Sequence, residues 1–257
     1  MEREFVHFFR VSRGCVWHGR ARAGWSGCVE VCEALDAPGT ELFHDSAKIR
    51  AGQAGGFFVK RYNLPGWITQ LRRLFKPSRP EVVRHGAELL TALHIPTPQV
   101  MATAARWHFL RRREYLVTAM LAPGDRLLNE PLSGSAAAAL WTMLLEKFLP
   151  MLVKLHDAGG IHGDLNLRNC YVSAAGEAGL IDLDGMVTRR RPLRAAVREA
   201  ELARLVSSYL KLCGIAEDWM EHAVRAADRY RELSGMKLSA AAVFRRMERI
   251  ARHRKRR

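Results

Sequence analysis

Acid is scarce in this chain: 26 Asp and Glu stand against 41 Lys and Arg, a formal net charge of +15 over 257 residues. Other absences narrow the chemistry further. No uninterrupted apolar run reaches the roughly 18 residues that a membrane-spanning helix requires, so no transmembrane segment is expected. The N-terminal stretch MEREFVHFFRVSRG mixes acids and arginines into its apolar residues, which a secretory signal does not. A cytoplasmic location is therefore expected. The five cysteines, Cys15, Cys28, Cys32, Cys170 and Cys213, form no CxxC and no paired framework. Cys28 and Cys32 are spaced CxxxC, but no His or Cys cluster lies nearby to complete a zinc site. All five are expected to be reduced thiols used for packing. There are no internal repeats and no long Gly/Ser/Pro linker.

The positive charge is unevenly spread. Residues 245–257, RRMERIARHRKRR, hold eight Lys and Arg against one Glu. A second cluster comprises Lys60, Arg61, Arg72, Arg73, Lys76 and Arg79. Such fields attract polyanions: nucleic acid, anionic lipid headgroups or a phosphorylated glycolipid. The last six residues read equally well as a solubilising tail.

Short alternating segments dominate the first 120 residues: CVEVCEAL, TELFHD, AKIRA, FFVKRY and YLVTAML, divided by turns such as DAPG (36–39) and GQAGG (52–56). They predict an antiparallel sheet. One helical pattern interrupts it, with Val82, Gly86, Leu89, Leu90 and Leu93 on one face and a stop at IPTP (95–98). After LAPGD (121–125) the texture is helical. A helix through AAAALWTMLLEKFL is predicted to kink or break at Pro150 and to resume through Leu152, Leu155 and His156. Two amphipathic helices follow at 194–213 and 217–233. The expectation is an α+β protein with a β-rich lobe over 1–121, a helical lobe over 122–244, a basic tail over 245–257, and a cleft at the join.

One stretch carries chemistry. IHGDLNLRNCYV (161–172) contains His162, Asp164 and Asn169, and thirteen residues after Asn169 comes Asp182 in LIDLDG. Between them, NCYVSAAGEAGLID reads as strand, turn at Ala175-Gly176, strand. Such a hairpin returns Asp182 to Asn169, holding two metal-binding oxygens and one base around a phosphate. A single HxD means little, because Asp and Asn are common turn residues. The combined pattern is far more specific. Phosphoryl transfer also needs a cation for the non-transferred phosphates, and FFVKRY offers Lys60 on a predicted strand. Alone, that lysine would read as a solvent-facing strand residue.

VKRY, IHGDLNLRN and LIDLDG, in this order, resemble the protein-kinase-like superfamily. More narrowly, KRYN followed by LRRLFKPSR, then ALHIPTPQV and KLHDAGGIHGDLNLRN, resembles the lipopolysaccharide core kinases, which phosphorylate Kdo or heptose of the inner core. The resemblance covers residues 57 to 210; the first 40 residues and the basic tail match nothing recognisable. It implies a two-lobed kinase-like fold, with an antiparallel-sheet N-lobe carrying one main helix and a compact helical C-lobe. It implies Asp164 as the catalytic aspartate that takes the acceptor proton, Asn169 and Asp182 as ligands of Mg²⁺, and Lys60 on the α- and β-phosphates of ATP. The glutamate partner of Lys60 would be Glu81 or Glu88, with Glu88 preferred because it sits deeper in the helix. Adenine would meet backbone groups from Met120 to Ala122. His162 would brace the loop, and Asp184 would either help hold metal or cap the next turn.

Several departures from the pattern matter. Gly163 stands where a regulated protein kinase has the arginine that pairs with a phosphorylated activation loop, which argues against such a switch. No Ala-Pro-Glu follows Asp182, and the chain beyond it is short for a peptide-binding lobe. No GxGxxG precedes Lys60, so the hairpin near Asp45-Ser46 would cover the phosphates. The expected activity is ATP-dependent transfer of the γ-phosphoryl group to an inner-core sugar hydroxyl. The site of action would be the inner face of the inner membrane, where the protein would sit peripherally on an anionic surface; no nucleic acid is expected. HGDL also resembles the small atypical kinases of the tRNA-modification complex, for which the Arg-rich tail would be a tRNA contact. A nucleotide-binding pseudokinase would have lost Lys60, Asp164, Asn169 or Asp182, and all four are present.

Overall fold

Period-two alternation in the first 120 residues builds one seven-stranded antiparallel sheet in the computed structural model of the chain. The structure describes residues 4–63, 77–108 and 111–254. Arg72, Arg73 and Lys76 of the second basic cluster, with most of LRRLFKPSR, lie outside the described residues. Two compact units form: residues 1–87 with 98–121, and residues 88–97 with 122–257.

The sheet of the first unit contains β1 (Phe5–Ser12), β2 (Cys15–Arg22), β3 (Glu41–Asp45), β4 (Ile49–Ala54), β5 (Phe57–Asn63), β6 (Val100–His108) and β7 (Arg111–Ala119). Their order is β1-β2-β6-β7-β5-β4-β3. One face is covered by α1 (Cys28–Ala34), whose Cys28, Val29 and Cys32, with Leu35, pack with Trp17, Val59, Tyr115 and Val117. This corrects the strand predicted for CVEVCEAL. Residues 28, 32 and 35 follow the i, i+4, i+7 spacing of a helix face, and one glutamate between two valines only mimicked alternation. The neighbouring side chains of each strand point to the opposite face. There α2 (Arg79–Ala92) docks: Thr103 Oγ1 donates to Glu81 Oε1 at 2.5 Å, and the Arg79 amide donates to Glu114 Oε2 at 3.2 Å.

The second unit is helical. α3 (Gly134–Met143) continues through a π turn (Leu144–Phe148) into α4 (Leu149–Asp157). Pro150 therefore causes no break. The π turn joins the Leu149 amide to the Leu144 carbonyl, and Pro150 falls in the first turn of α4, where a missing N–H costs little. By length and composition alone, the stretch Gly134–Asp157 is long and apolar enough to cross a membrane, more than the sequence reading allowed. Half of its most apolar window is buried inside the protein, and Leu144, Phe148, Leu149, Leu152 and Leu155 are fully covered. It is packed as a core helix.

α5 (Ala195–Leu212) is buried on most sides and packs with α6 (Trp219–Ser234) and α7 (Ala240–Arg254). α7 revises the expectation of a separate tail at 245–257. Its Val243 and Met247 are fully buried, and the helix continues through the basic segment as far as Arg254. The segment 88–97 clusters with this unit as well, because the Leu180 amide donates to the Pro96 carbonyl at 2.9 Å. An antiparallel-sheet unit followed by a helical one is the α+β class expected.

Candidate active site

Two short ladders in the second unit set the geometry. β9 (Gly160–Ile161) pairs with β12 (Val187–Thr188), and β10 (Cys170–Val172) pairs with β11 (Ala178–Leu180). Loop 162–169 runs from β9 to β10, and loop 181–186 runs from β11 to β12. Both loops are thus anchored at both ends on the same ladders and lie side by side. The predicted hairpin is the β10–β11 pair, in register Cys170↔Leu180 and Val172↔Ala178, with Gly176 at φ +79 in its turn.

Three contacts join the loops. The Ile181 amide donates to the Asn169 carbonyl at 2.9 Å, and His162 Nε2 donates to the Ile181 carbonyl at 3.1 Å. The third is steric. Gly163 has φ +85, and a Cβ there would stand 2.3 Å from the Gly185 carbonyl oxygen. Residue 163 must be glycine for the loops to touch. Asn169 Nδ2 donates to the Asp164 carbonyl at 2.9 Å, turning its Oδ1 the other way, while the Asp164 side chain is exposed. Asp182, also exposed, holds a left-handed conformation (φ 57, ψ 58), a strain of about 1–3 kcal/mol that loop function typically justifies.

Glu201 of α5 supports this arrangement from below. Its carboxylate accepts the His162 amide at 2.7 Å and the Gly163 amide at 2.9 Å, and it is almost completely buried. Burial alone would raise its pKa, but interaction with His156 and the His162 amide outweighs this and holds it below the ordinary carboxylate value. His156 lies 3.7 Å away, too long for a hydrogen bond, and is bonded through Nδ1 to the Tyr230 hydroxyl at 2.8 Å. Burial lowers the His156 pKa. We assign His156 as neutral and Glu201 as ionised, with the two amides as its main partners.

The other predicted residues are distributed between the units. Lys60 and Met120 belong to the first; Glu88 and Ala122 belong to the second, with Asp164, Asn169 and Asp182. Lys60 is on β5, opposite Ala51 and Leu116, on the face where α2 docks, and its Nζ lies 5.5 Å from the Tyr62 ring centroid. Glu81 is bound to Arg20 at 2.8 Å, to Arg84 at 3.0 Å and to Thr103, so its carboxylate serves the sheet–helix contact. Glu88 is exposed two turns further along α2. The Ala122 amide donates to Asp125 Oδ2 at 3.0 Å, which takes that amide from the donors offered to an adenine. The turn between β3 and β4 is closed by Ser46, whose Oγ donates to the Ile49 carbonyl at 3.0 Å and accepts its amide at 3.1 Å.

The sequence profile of the lipopolysaccharide kinase (Kdo/WaaP) family matches residues 80–228, more than half of the chain and all of loops 162–169 and 181–186. The chain belongs to that family. No curated protein matches the chain. Among solved structures it is similar to the bifunctional kinase-methyltransferase WbdD, at 19% identity and a TM-score of 0.43, over 80% of this chain and 43% of that one. A co-crystal of WbdD with a kinase inhibitor gives the same identity and TM-score, over 82% of this chain and 45% of that one. The chain thus spans less than half the length of the WbdD chains it resembles.

Sequence reading passed over two carboxylates of the chain. Glu201 was visible only as an anomaly, an acid on the same helical stripe as Leu205 and Ser208 in AELARLVSSYL. Asp125 left no such signal. Its Oδ1 accepts the Ala174 amide at 3.0 Å, tying the connector to the turn of the β10–β11 hairpin.

Proposed function

We propose that this chain transfers the γ-phosphoryl group of ATP to a hydroxyl of Kdo or heptose in the lipopolysaccharide inner core, working peripherally at the cytoplasmic membrane face. The observation that carries the reading is the pairing of loops 162–169 and 181–186, which holds Asp164, Asn169 and Asp182 on one pair of ladders. In the reaction the sugar oxygen bonds to the γ-phosphorus as the bond to the departing ADP oxygen breaks. Asp164, exposed beside the Asn169 amide, orients the sugar hydroxyl and accepts its proton.

Asn169 and Asp182 are the residues that would hold Mg²⁺. Their donor set, an amide oxygen and a carboxylate, is the hard-oxygen chemistry that Mg²⁺ prefers, and the Nδ2 contact with Asp164 leaves Asn169 Oδ1 directed elsewhere. Among the described residues no three His, Cys, Asp or Glu converge on one point, so phosphate oxygens and water complete such a site. Bound Mg²⁺ would neutralise charge on the β- and γ-phosphates. Lys60 serves the α- and β-phosphates, Glu88 orients Lys60, and the connector from Met120 to Ala122 receives the adenine through groups other than the Ala122 amide.

The test is transfer of label from ATP to Kdo-lipid A and to heptosylated core, with the purified full-length chain. Label on a core sugar, lost in Asp164→Asn, is expected. No transfer to any core acceptor overturns the substrate assignment, and an Asp164→Asn variant of full activity overturns the mechanism.

A further inference from the structure

Strand register brings the β1–β2 turn and the paired residues His108 and Arg111 to one end of the sheet. Val11, Val16, Trp107 and Arg112 stand side by side across β1, β2, β6 and β7 there. On this row and the next, Phe9 is 72% exposed and Val11 65%, and Val16 is exposed as well. Water-facing Phe and Val side chains grouped on an outer strand are unusual for a surface without a partner. The indole N–H of Trp107 donates to His18 Nε2 at 3.1 Å, which requires that nitrogen of His18 to be unprotonated. Burial first, then repulsion from Arg112, lowers the pKa of His18, which lies opposite Phe9.

The opposite face of the same end is cationic. Arg106, His108, Arg111 and Arg113 line a cavity of about 130 Å³, and among the described residues no carboxylate lines it. Asp36 approaches Arg113 at 3.7 Å from outside the lining. Three guanidinium groups around one small cavity repel one another, and an entering anion relieves that repulsion. Arg13, at the tip of the β1–β2 turn, is a largely exposed cation that lies 3.6 Å from Glu33.

We propose that this end of the sheet docks on an anionic lipid bilayer, with Phe9, Val11 and Val16 in the interface and Arg111 and its neighbours on lipid phosphates. The inference rests on the reading that the acceptor is a membrane glycolipid, and it names the surface that would bring the chain to it. Charge complementarity selects an anionic partner, and the exposed aliphatic side chains select a bilayer over a nucleic acid, whose backbone offers them nothing. β1 and β2 lie before the segment matched by the family profile.

The experiment is flotation of the full-length chain with vesicles of phosphatidylcholine alone or containing one-third phosphatidylglycerol. Binding to the anionic vesicles only, weakening with salt, is expected. Arg111→Glu changes the charge by two, and at about fivefold per charge it should lower partitioning by about 25-fold. A Phe9→Ser/Val11→Ser double variant should lower it by at least tenfold, and neither variant touches the proposed phosphoryl-transfer residues. A dye sensitive to polarity, placed on Val11→Cys in a Cys213→Ser background, should shift to the blue when anionic vesicles are added. Unchanged flotation of both variants, or an unshifted dye on bound vesicles, overturns the proposal. Binding of tRNA that these variants abolish, without vesicle binding, overturns it in favour of a nucleic-acid surface. Because flotation reads no phosphorylation, docking without transfer to core acceptors would uphold this surface while sinking the substrate assignment.

Discussion

The carbonyl oxygen of Gly185 occupies the space into which any side chain on residue 163 would extend, 2.3 Å from where its Cβ would lie. The contact holds together the two loops that carry Asp164 and Asp182. It gives Gly163 a reason beyond regulation. An arginine of the kind used in phosphorylation switches would need both a left-handed backbone and the room that Gly185 fills.

Gly163→Ala should therefore be damaging despite its small size. The backbone conformation alone costs about 1–2 kcal/mol, and separating the loops adds to it. Urea unfolding should show at least that loss, with turnover falling by tenfold or more. A variant of unchanged midpoint and unchanged turnover would refute the steric argument.

Glu201→Gln tests the support beneath the catalytic loop. A glutamine offers one acceptor and one donor to two amide N–H groups, so one amide is left facing an N–H. Leaving a buried donor unsatisfied costs about 1–3 kcal/mol. We expect a lower melting temperature and a fall in kcat larger than the change in KM for nucleotide, measured by steady-state kinetics.

Asp164→Asn should behave differently. Its side chain is exposed and bears little of the packing, so thermal unfolding should hardly change. Loss of a proton acceptor should reduce turnover by on the order of 10²–10⁴-fold. A large loss of stability in this variant would mean that Asp164 is structural.

Acid should weaken the helical unit in two steps. His156 is held neutral by burial, so the unfolded chain takes up a proton near its ordinary value of 6.5 while the folded chain resists it. That stability is present above about pH 6.5 and declines as the pH falls below it, at up to roughly 1.4 kcal/mol per pH unit. Glu201, held below its ordinary 4.5, contributes stability that is present above that pH and lost as the pH falls through the lower folded value. His18 acts in the same direction as His156. Melting temperature against pH should fall from about 6.5 downward, and His156→Gln should flatten the first part of the slope.

Met247→Ala probes the C-terminal helix. A solvated tail would tolerate it, whereas a fully buried methionine on the inward face of α7 should cost about 2–5 kcal/mol. Chemical denaturation of the full-length chain decides between them.

The order of sheet and helices, the β10–β11 hairpin and the residues Asp164, Asn169 and Asp182 were legible in the sequence because each rests on local rules. Alternation, helical spacing, turn glycines and a loop of the right length act within about twenty residues. The helix at Cys28–Ala34 was misread where two periodicities overlap in seven letters. Pro150 was misread because a π turn upstream absorbs it. What only the tertiary structure decided is longer in range: Glu201 is bonded to amides 38 and 39 residues earlier, the basic C-terminal segment is buried on one side, and the β1–β2 hairpin joins the sheet at its edge through β6, some eighty residues later in the chain. A carboxylate that caps backbone amides leaves no periodicity, and a basic helix reads as a tail until its partners are known. The sequence by itself determined which side chains the two loops carry. The packing of α5 beneath them, through hydrogen bonds that no spacing rule encodes, decided how those loops are held.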